Sequence, residues 1–329
     1  MTANNRRMYV LIFGAVLSAI IAAFMTFSDA LAPKPAMKVF PDLKLKKADI
    51  IAVNIDYKNS VITLISDNIG GWYVGEMDGY PALKARVETL FTDLENLELA
   101  EIKTSDAAKY PELWVNDVNQ EGAQGKRISL VGKDGNIIAN LTVGKTEGDK
   151  IFIRKNNDAQ VWLAKGKLDI SGNITSWVEE PLFPVTANQI RKITLTDVAV
   201  QPEEELIFTR ETAEVPFSFT SNAKMKLKII PEDGTRIAGA FQDLVFINAR
   251  MINELNSEEA TLTTIFKTEA ETENGDIFGL NFINFNDEIW FQTFSSVAEV
   301  NEKQGGWLYK ITPQKLISLL PPPAMEDEP

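Results

Sequence analysis

The sequence predicts an α+β body behind a single membrane anchor, and three observations carry that expectation. An uncharged apolar run fills residues 8–27. Beyond it, apolar residues come in short runs divided by turn residues, the pattern of strands. Twice, at matching places in the two halves, the period lengthens to that of an amphipathic helix. The soluble part is therefore expected to be two repeated modules, each mostly antiparallel sheet with one long helix.

The anchor comes first. Its 20 uncharged residues would cover about 30 Å as a helix, the thickness of a hydrocarbon core. Ala30-Leu31-Ala32 has the small-x-small pattern of a leader cleavage site. However, the run is longer than a leader's apolar region, and Pro33 would follow the cut. An uncleaved, single-pass anchor is expected, with residues 1–7 as a tail. Arg6 and Arg7 favour a cytoplasmic N-terminus, whereas Lys34, Lys38, Lys44, Lys46 and Lys47 pull the other way, so charge counting leaves the orientation open. Within the run, Gly14, Ser18 and Ala22 recur at four-residue spacing, with Ala15, Ala19 and Ala23 beside them. Small residues on one face let two helices approach closely, so this face is expected to pack against another transmembrane helix.

Residues 28–47 read as a basic, proline-punctuated linker. Residues 1–47 hold seven basic and two acidic groups, net +5, and the remainder holds 26 and 44, net −18. A basic leash thus joins the membrane to an acidic body.

The first module, residues 48–185, begins with strand-like runs at 50–55, 61–65 and 72–74. The second, residues 186–320, answers with 190–195, 206–209 and 217–219. Each trio leads into a helix whose buried face is marked by Leu83, Val87, Leu90 and Phe91, or by Ile237, Phe241, Leu244 and Val245. Strands follow at 128–131, 137–143, 151–153 and 161–163, and then at 262–266, 277–285, 289–294 and 307–311. Asp134-Gly135, Asn274-Gly275 and Asn286-Asp287 supply turns. A short helix begins at Thr312-Pro313 and stops at the prolines from Pro321, and residues 321–329 form an acidic tail.

Composition excludes much chemistry. The chain has no cysteine and no histidine, so it has no disulfide, thiolate or imidazole nucleophile, nor any metal site built on those ligands. A net charge of −13 argues against nucleic acid as a partner. Gly144-Lys145-Thr146 resembles the end of a phosphate-binding loop, but Ala139 stands where that pattern needs glycine and a hairpin turn follows. Glu203, Glu204 and Glu205, beside Pro202, read as a solvated strand edge rather than an acid–base pair. Asn140 and Asn173 open glycosylation sequons, a three-residue pattern short enough to arise by chance. Gly70-Gly71-Trp72 and Gly305-Gly306-Trp307 are near-identical turn-and-indole pieces. Together with Trp114, Trp72 and Trp307 define a candidate aromatic surface, although a turn followed by a core tryptophan is the favoured reading of the two repeats.

Several pieces in order resemble the family known as domain of unknown function 4340. They are Phe40-Pro41-Asp42-Leu43, Gly71-Trp72, Tyr80-Pro81, Thr104-Ser105-Asp106, Tyr110-Pro111-Glu112-Leu113, Val143-Gly144-Lys145, Ile151-Phe152-Ile153-Arg154 and Trp162-Leu163-Ala164, with residues 307–320 at the end. The likeness covers about residues 39–320. The family usually has glycine where this chain has Trp114 and often proline at Val118, which predicts a differently shaped loop here. The resemblance implies a bacterial inner-membrane protein with its N-terminus in the cytoplasm and its body in the periplasm. It also implies a place beside ABC transporters of the gliding-motility type, and it supplies no catalytic residue. The expected function is that of a non-enzymatic accessory or interaction subunit of such a transporter complex, without cofactor or metal. Its partner would be a transporter membrane subunit or a second copy of the span. A glycan, peptidoglycan or peptide-binding module is the alternative, and a carboxylate-based enzyme the third reading.

Overall fold

A computed structural model describes residues 37–58, 60–156, 158–178, 181–222, 229–254 and 262–321. The expected span at 8–27, its small-residue face (Gly14, Ala15, Ser18, Ala19, Ala22, Ala23) and the tail from 322 lie outside the described residues. No helix among the described residues is long and apolar enough to cross a membrane. The body is α+β, with two antiparallel sheets and six α-helices among the described residues.

The first sheet contains β1 (Met37–Lys38), β2 (Ile50–Tyr57), β3 (Ser60–Ser66), β4 (Trp72–Val74), β5 (Tyr80–Pro81), β6 (Glu98–Thr104), β7 (Lys126–Gly132), β8 (Ile137–Glu147), β9 (Lys150–Lys155) and β10 (Val161–Lys165). Their spatial order is β1-β6-β10-β9-β8-β7-β2-β3-β4-β5. The second contains β11 (Ile190–Asp197), β12 (Glu204–Thr209), β13 (Ser218–Ser221), β14 (Asn248–Met251), β15 (Thr264–Thr272), β16 (Ile277–Phe285), β17 (Glu288–Ser295) and β18 (Trp307–Lys310), in the order β13-β12-β11-β15-β16-β17-β18-β14. With β1 and β5 set aside, the two orders are the same.

The agreement extends to register. Val53 faces Leu130 and Asp56 faces Arg127; 140 residues later, Ile193 faces Ala270 and Thr196 faces Lys267. Both ladders slip at the same point, after Ile50 and after Ile190. The following turns also match. Gly132 N–H donates to Asn136 O at 2.9 Å and Thr272 N–H to Asp276 O at 2.9 Å, while Gly135 and Gly275 take φ of 73° and 84°. Lys133 N–H reaches back to Asp49 O, as Glu273 N–H reaches to Gln189 O.

The helices are α1 (Leu43–Lys46), α2 (Lys84–Asn96), α3 (Tyr110–Leu113), α4 (Pro231–Gln242), α5 (Ala298–Gln304) and α6 (Pro313–Leu319). Val87, Leu90, Phe91 and Leu94 bury one stripe of α2, as expected of 3.6-residue spacing. Leu83 is not part of that stripe: it precedes the helix in an extended conformation and is 37% exposed. The second helix ends at Gln242, earlier than expected. Leu244 is still buried in the chain beyond it, but Val245 is turned outward and exposed. Gly234 is where α4 presses closest, because a Cβ there would lie 2.6 Å from the Phe217 ring.

Residues 37–47 are folded rather than linker. Val39 N–H pairs with Leu97 O at 2.9 Å, and Val39 and Leu43 are fully or nearly fully buried. The connection between modules is also built in: Trp177 is buried beneath the Arg86 guanidinium, and Phe183 packs against Phe241 and Phe278. At the junction, Tyr80 of β5 enters a cluster of Phe246, Trp307 and Tyr309, with ring centroids 5.1, 4.8 and 6.0 Å away. Beside it Asp78, held at φ 49°, accepts from Arg250 Nε at 2.6 Å and from Met251 N–H at 3.2 Å. One continuous hydrophobic core runs through both modules.

Candidate functional site

The three sequence-predicted tryptophans separate. Trp72 is half-buried against Phe91. Trp307 is buried against Tyr80. Neither forms a platform for a ligand. Their glycines differ too. Gly70 takes φ 107° in a turn whose Asp67 carboxylate accepts from Ile69 and Gly71 N–H and from the Tyr73 hydroxyl. Gly305 merely ends α5, donating to Asn301 O at 2.8 Å. The likeness of the two pieces is local composition, not equivalent structure.

Trp114 is the exposed one, at 38%. It follows α3 with φ 61°, and its N–H donates to Pro111 O. Close packing fixes this left-handed backbone. A Cβ at Gly125 would stand 2.0 Å from Trp114 O, and one at Gly144 would stand 2.1 Å from Leu113 O. Val115 is then drawn into a small second core with Phe152, Val161 and Leu163, on which Leu113 and Tyr110 pack. Arg154 secures the segment by donating to Val115 O while lying over the Tyr110 ring. The backbone at 114 thus has the left-handed conformation that favours glycine. Its cost is about 1–2 kcal/mol of backbone strain.

Trp114 stands at one end of a shallow groove between the β8–β9 hairpin and residues 165–170. The larger part holds about 470 Å³, lined by Gly148, Asp149, Lys150, Lys165 and Lys167. An adjoining recess of about 240 Å³ is lined by Trp114, Lys126, Val143 and Ile170; Thr146, Ile151, Leu168 and Asp169 border both. Several charges are already satisfied. Glu101 accepts from Lys103 at 2.8 Å and Lys150 at 2.6 Å; first Lys103 and then Lys150 hold its carboxyl down at about 2. Asp169 meets Arg86 at 3.3 Å, and Lys126 donates to Ile170 O. Burial raises the Asp93 carboxyl, with Lys167 opposing. An aromatic edge beside hydrogen-bonding groups suits an amphipathic ligand such as a sugar or peptide. Of the groove's lining, the sequence marks Trp114 as a candidate binding residue and Gly144 and Thr146 only as part of a phosphate-loop-like piece; the lysines around Gly166 give no periodic signal.

Gly144-Lys145-Thr146 lies within β8, with Lys145 over the Phe152 ring, so the glycine serves packing rather than phosphate binding. Glu204 and Glu205 open β12, half-buried, after exposed Glu203. Asn173 accepts from Thr175 N–H at the start of a short turn of helix. Among the described residues no cluster of acidic side chains could hold a metal ion.

A family model described as Domain of unknown function (DUF4340) matches residues 72–250. No curated protein and no solved structure matches the chain.

Two outcomes follow from this geometry. Trp114→Gly should raise thermal stability or leave it unchanged, because it relieves strain worth about 1–2 kcal/mol; a melting curve reads this directly. Glu101, whose carboxyl is depressed, stabilises the fold above its unfolded value and loses that contribution as pH falls towards about 2. The stability difference between wild type and Glu101→Gln should therefore shrink from about pH 5 downwards, and also in high salt because the pair is exposed.

Proposed function

We propose that this chain, which belongs to the DUF4340 family, is a single-pass inner-membrane protein. In this reading its periplasmic body serves as a non-enzymatic accessory subunit of an ABC-transporter-type envelope complex. The observation that carries the reading is the short distance between the apolar run and the folded body. The run ends at Phe27, and Met37 is already part of the folded body. Ten residue steps of fully extended chain reach about 35 Å, so a membrane-embedded run keeps the body near the bilayer. A body with one continuous core suits an interaction subunit, because it presents its surfaces in a fixed relation. The shared strand order, and the common register of the β2–β7 and β11–β15 ladders, support an internal duplication of one module.

The small-residue face is the surface assigned to the partner's transmembrane helix, or to a second copy. Ligand binding in the Trp114 groove is a second reading, favoured by the exposed indole lining a recess of about 240 Å³.

A tagged full-length chain purified from native membranes tests the first reading. A transporter membrane subunit should co-purify, and a C-terminal alkaline phosphatase fusion should be active. Gly14→Leu, Ser18→Leu and Ala22→Leu together should leave insertion intact and remove the co-purifying subunit. A cytoplasmic body, or no transporter subunit with the wild-type chain, would overturn the proposal.

A further inference from the structure

The end of the body nearest the apolar run differs from the rest. In α1, Leu43 points into the core, whereas Leu45 is 83% exposed between exposed Lys44 and Lys46. A single exposed leucine carries no meaning by itself. This one sits beside a recess of about 180 Å³ bordered by Phe40, Lys46, Ile138 and Lys155, with Asp42 the one carboxylate on its edge. Lys155 lies 5.6 Å from the centre of the Phe40 ring. Neither Lys46 nor Lys155 forms a salt bridge among the described residues. Elsewhere the charge is opposite: residues 48–329 sum to −18.

We propose that this face rests on the bilayer. Leu45 enters the headgroup–acyl boundary, and Lys44, Lys46 and Lys155 meet the phosphates of anionic phospholipid. The inference rests on reading residues 8–27 as a span, which brings α1 within reach of the membrane. Three features on the page point to a lipid surface as the occupant. The tether is short, the lysines complement an anionic surface, and the acidic remainder of the body is repelled by that surface, which leaves the basic end facing it. An apolar side chain flanked by lysines is also the arrangement that suits an interfacial helix. The body is then seated on the membrane rather than held off it by a leash.

The absence of cysteine from the chain makes single-site labelling clean. Full-length Leu45→Cys, carrying an environment-sensitive fluorophore, is placed in nanodiscs rich in phosphatidylglycerol or made of phosphatidylcholine alone. Lipids bearing nitroxides near the headgroup serve as quenchers, and Ile317→Cys on α6 of the second module is the comparison site. Quenching of the Leu45 label in phosphatidylglycerol discs, weaker in phosphatidylcholine and in high salt, with the Ile317 label unaffected, supports the proposal. Lys44→Gln, Lys46→Gln and Lys155→Gln should each lower the docked-to-undocked ratio about fivefold. A Leu45 label that stays unquenched while the chain resists carbonate extraction overturns the docking and leaves the anchor intact. Equal quenching in both lipids, or at both label sites, overturns it as well. Release of the chain by carbonate refutes the anchor, and the docking with it.

Discussion

Tyr80 occupies a place on which the rest of the body depends. It belongs by sequence to the first module's last edge strand, yet its ring is buried among Phe246, Trp307 and Tyr309 of the second. Two sheets that could each have ended in an open edge meet there, and unpaired edges are otherwise a hazard to a soluble protein. The site is dry enough that burial, followed by Tyr80 itself, pushes the Tyr309 hydroxyl far above its ordinary value. Asp78 adds direction, because its carboxylate takes both the Arg250 guanidinium and the Met251 N–H. The apolar contact supplies the stability; the ion pair, partly exposed, chiefly fixes the angle of approach.

With the modules joined, the other features belong to one body. On the connecting segment, Trp177 and Phe183 are both fully buried. The Trp114 groove lies on the first module, away from the aromatic junction, and is shaped by two glycines that admit the backbone of residues 113–114. The segment from Met37 is pinned by Val39 and Leu43, which are buried in the first module.

The general plan was legible because burial period and turn chemistry agree along most of the chain. Gly135, Gly275, Asn286 and Asp287 all take the positive φ that their turn dipeptides announce. Among the elements the sequence does not announce are two strands with little buried surface or length. β6 is exposed or half-exposed along its length and carries Glu98, Glu101 and Lys103, and β14 is only four residues long. Both strands follow their helix and hold their place through neighbours distant in sequence. For Trp72 and Trp307 the favoured reading, a turn followed by a core tryptophan, agrees with the structure, although composition does not identify Phe91 or Tyr80 as the ring each indole packs on. At Trp114 the sequence gives no sign of the left-handed backbone, because a tryptophan rarely adopts it; the close approach of Gly125 and Gly144 to residues 113–114 imposes it.

The most direct measurement is scanning calorimetry of the full-length chain, wild type and Tyr80→Ala. If the shared core makes one cooperative unit, the wild-type body melts in a single transition whose calorimetric and van't Hoff enthalpies agree. Tyr80→Ala, by emptying the junction, should cost about 3–5 kcal/mol and split that transition in two. Two separate transitions in the wild type, or no effect of Tyr80→Ala, would contradict the account.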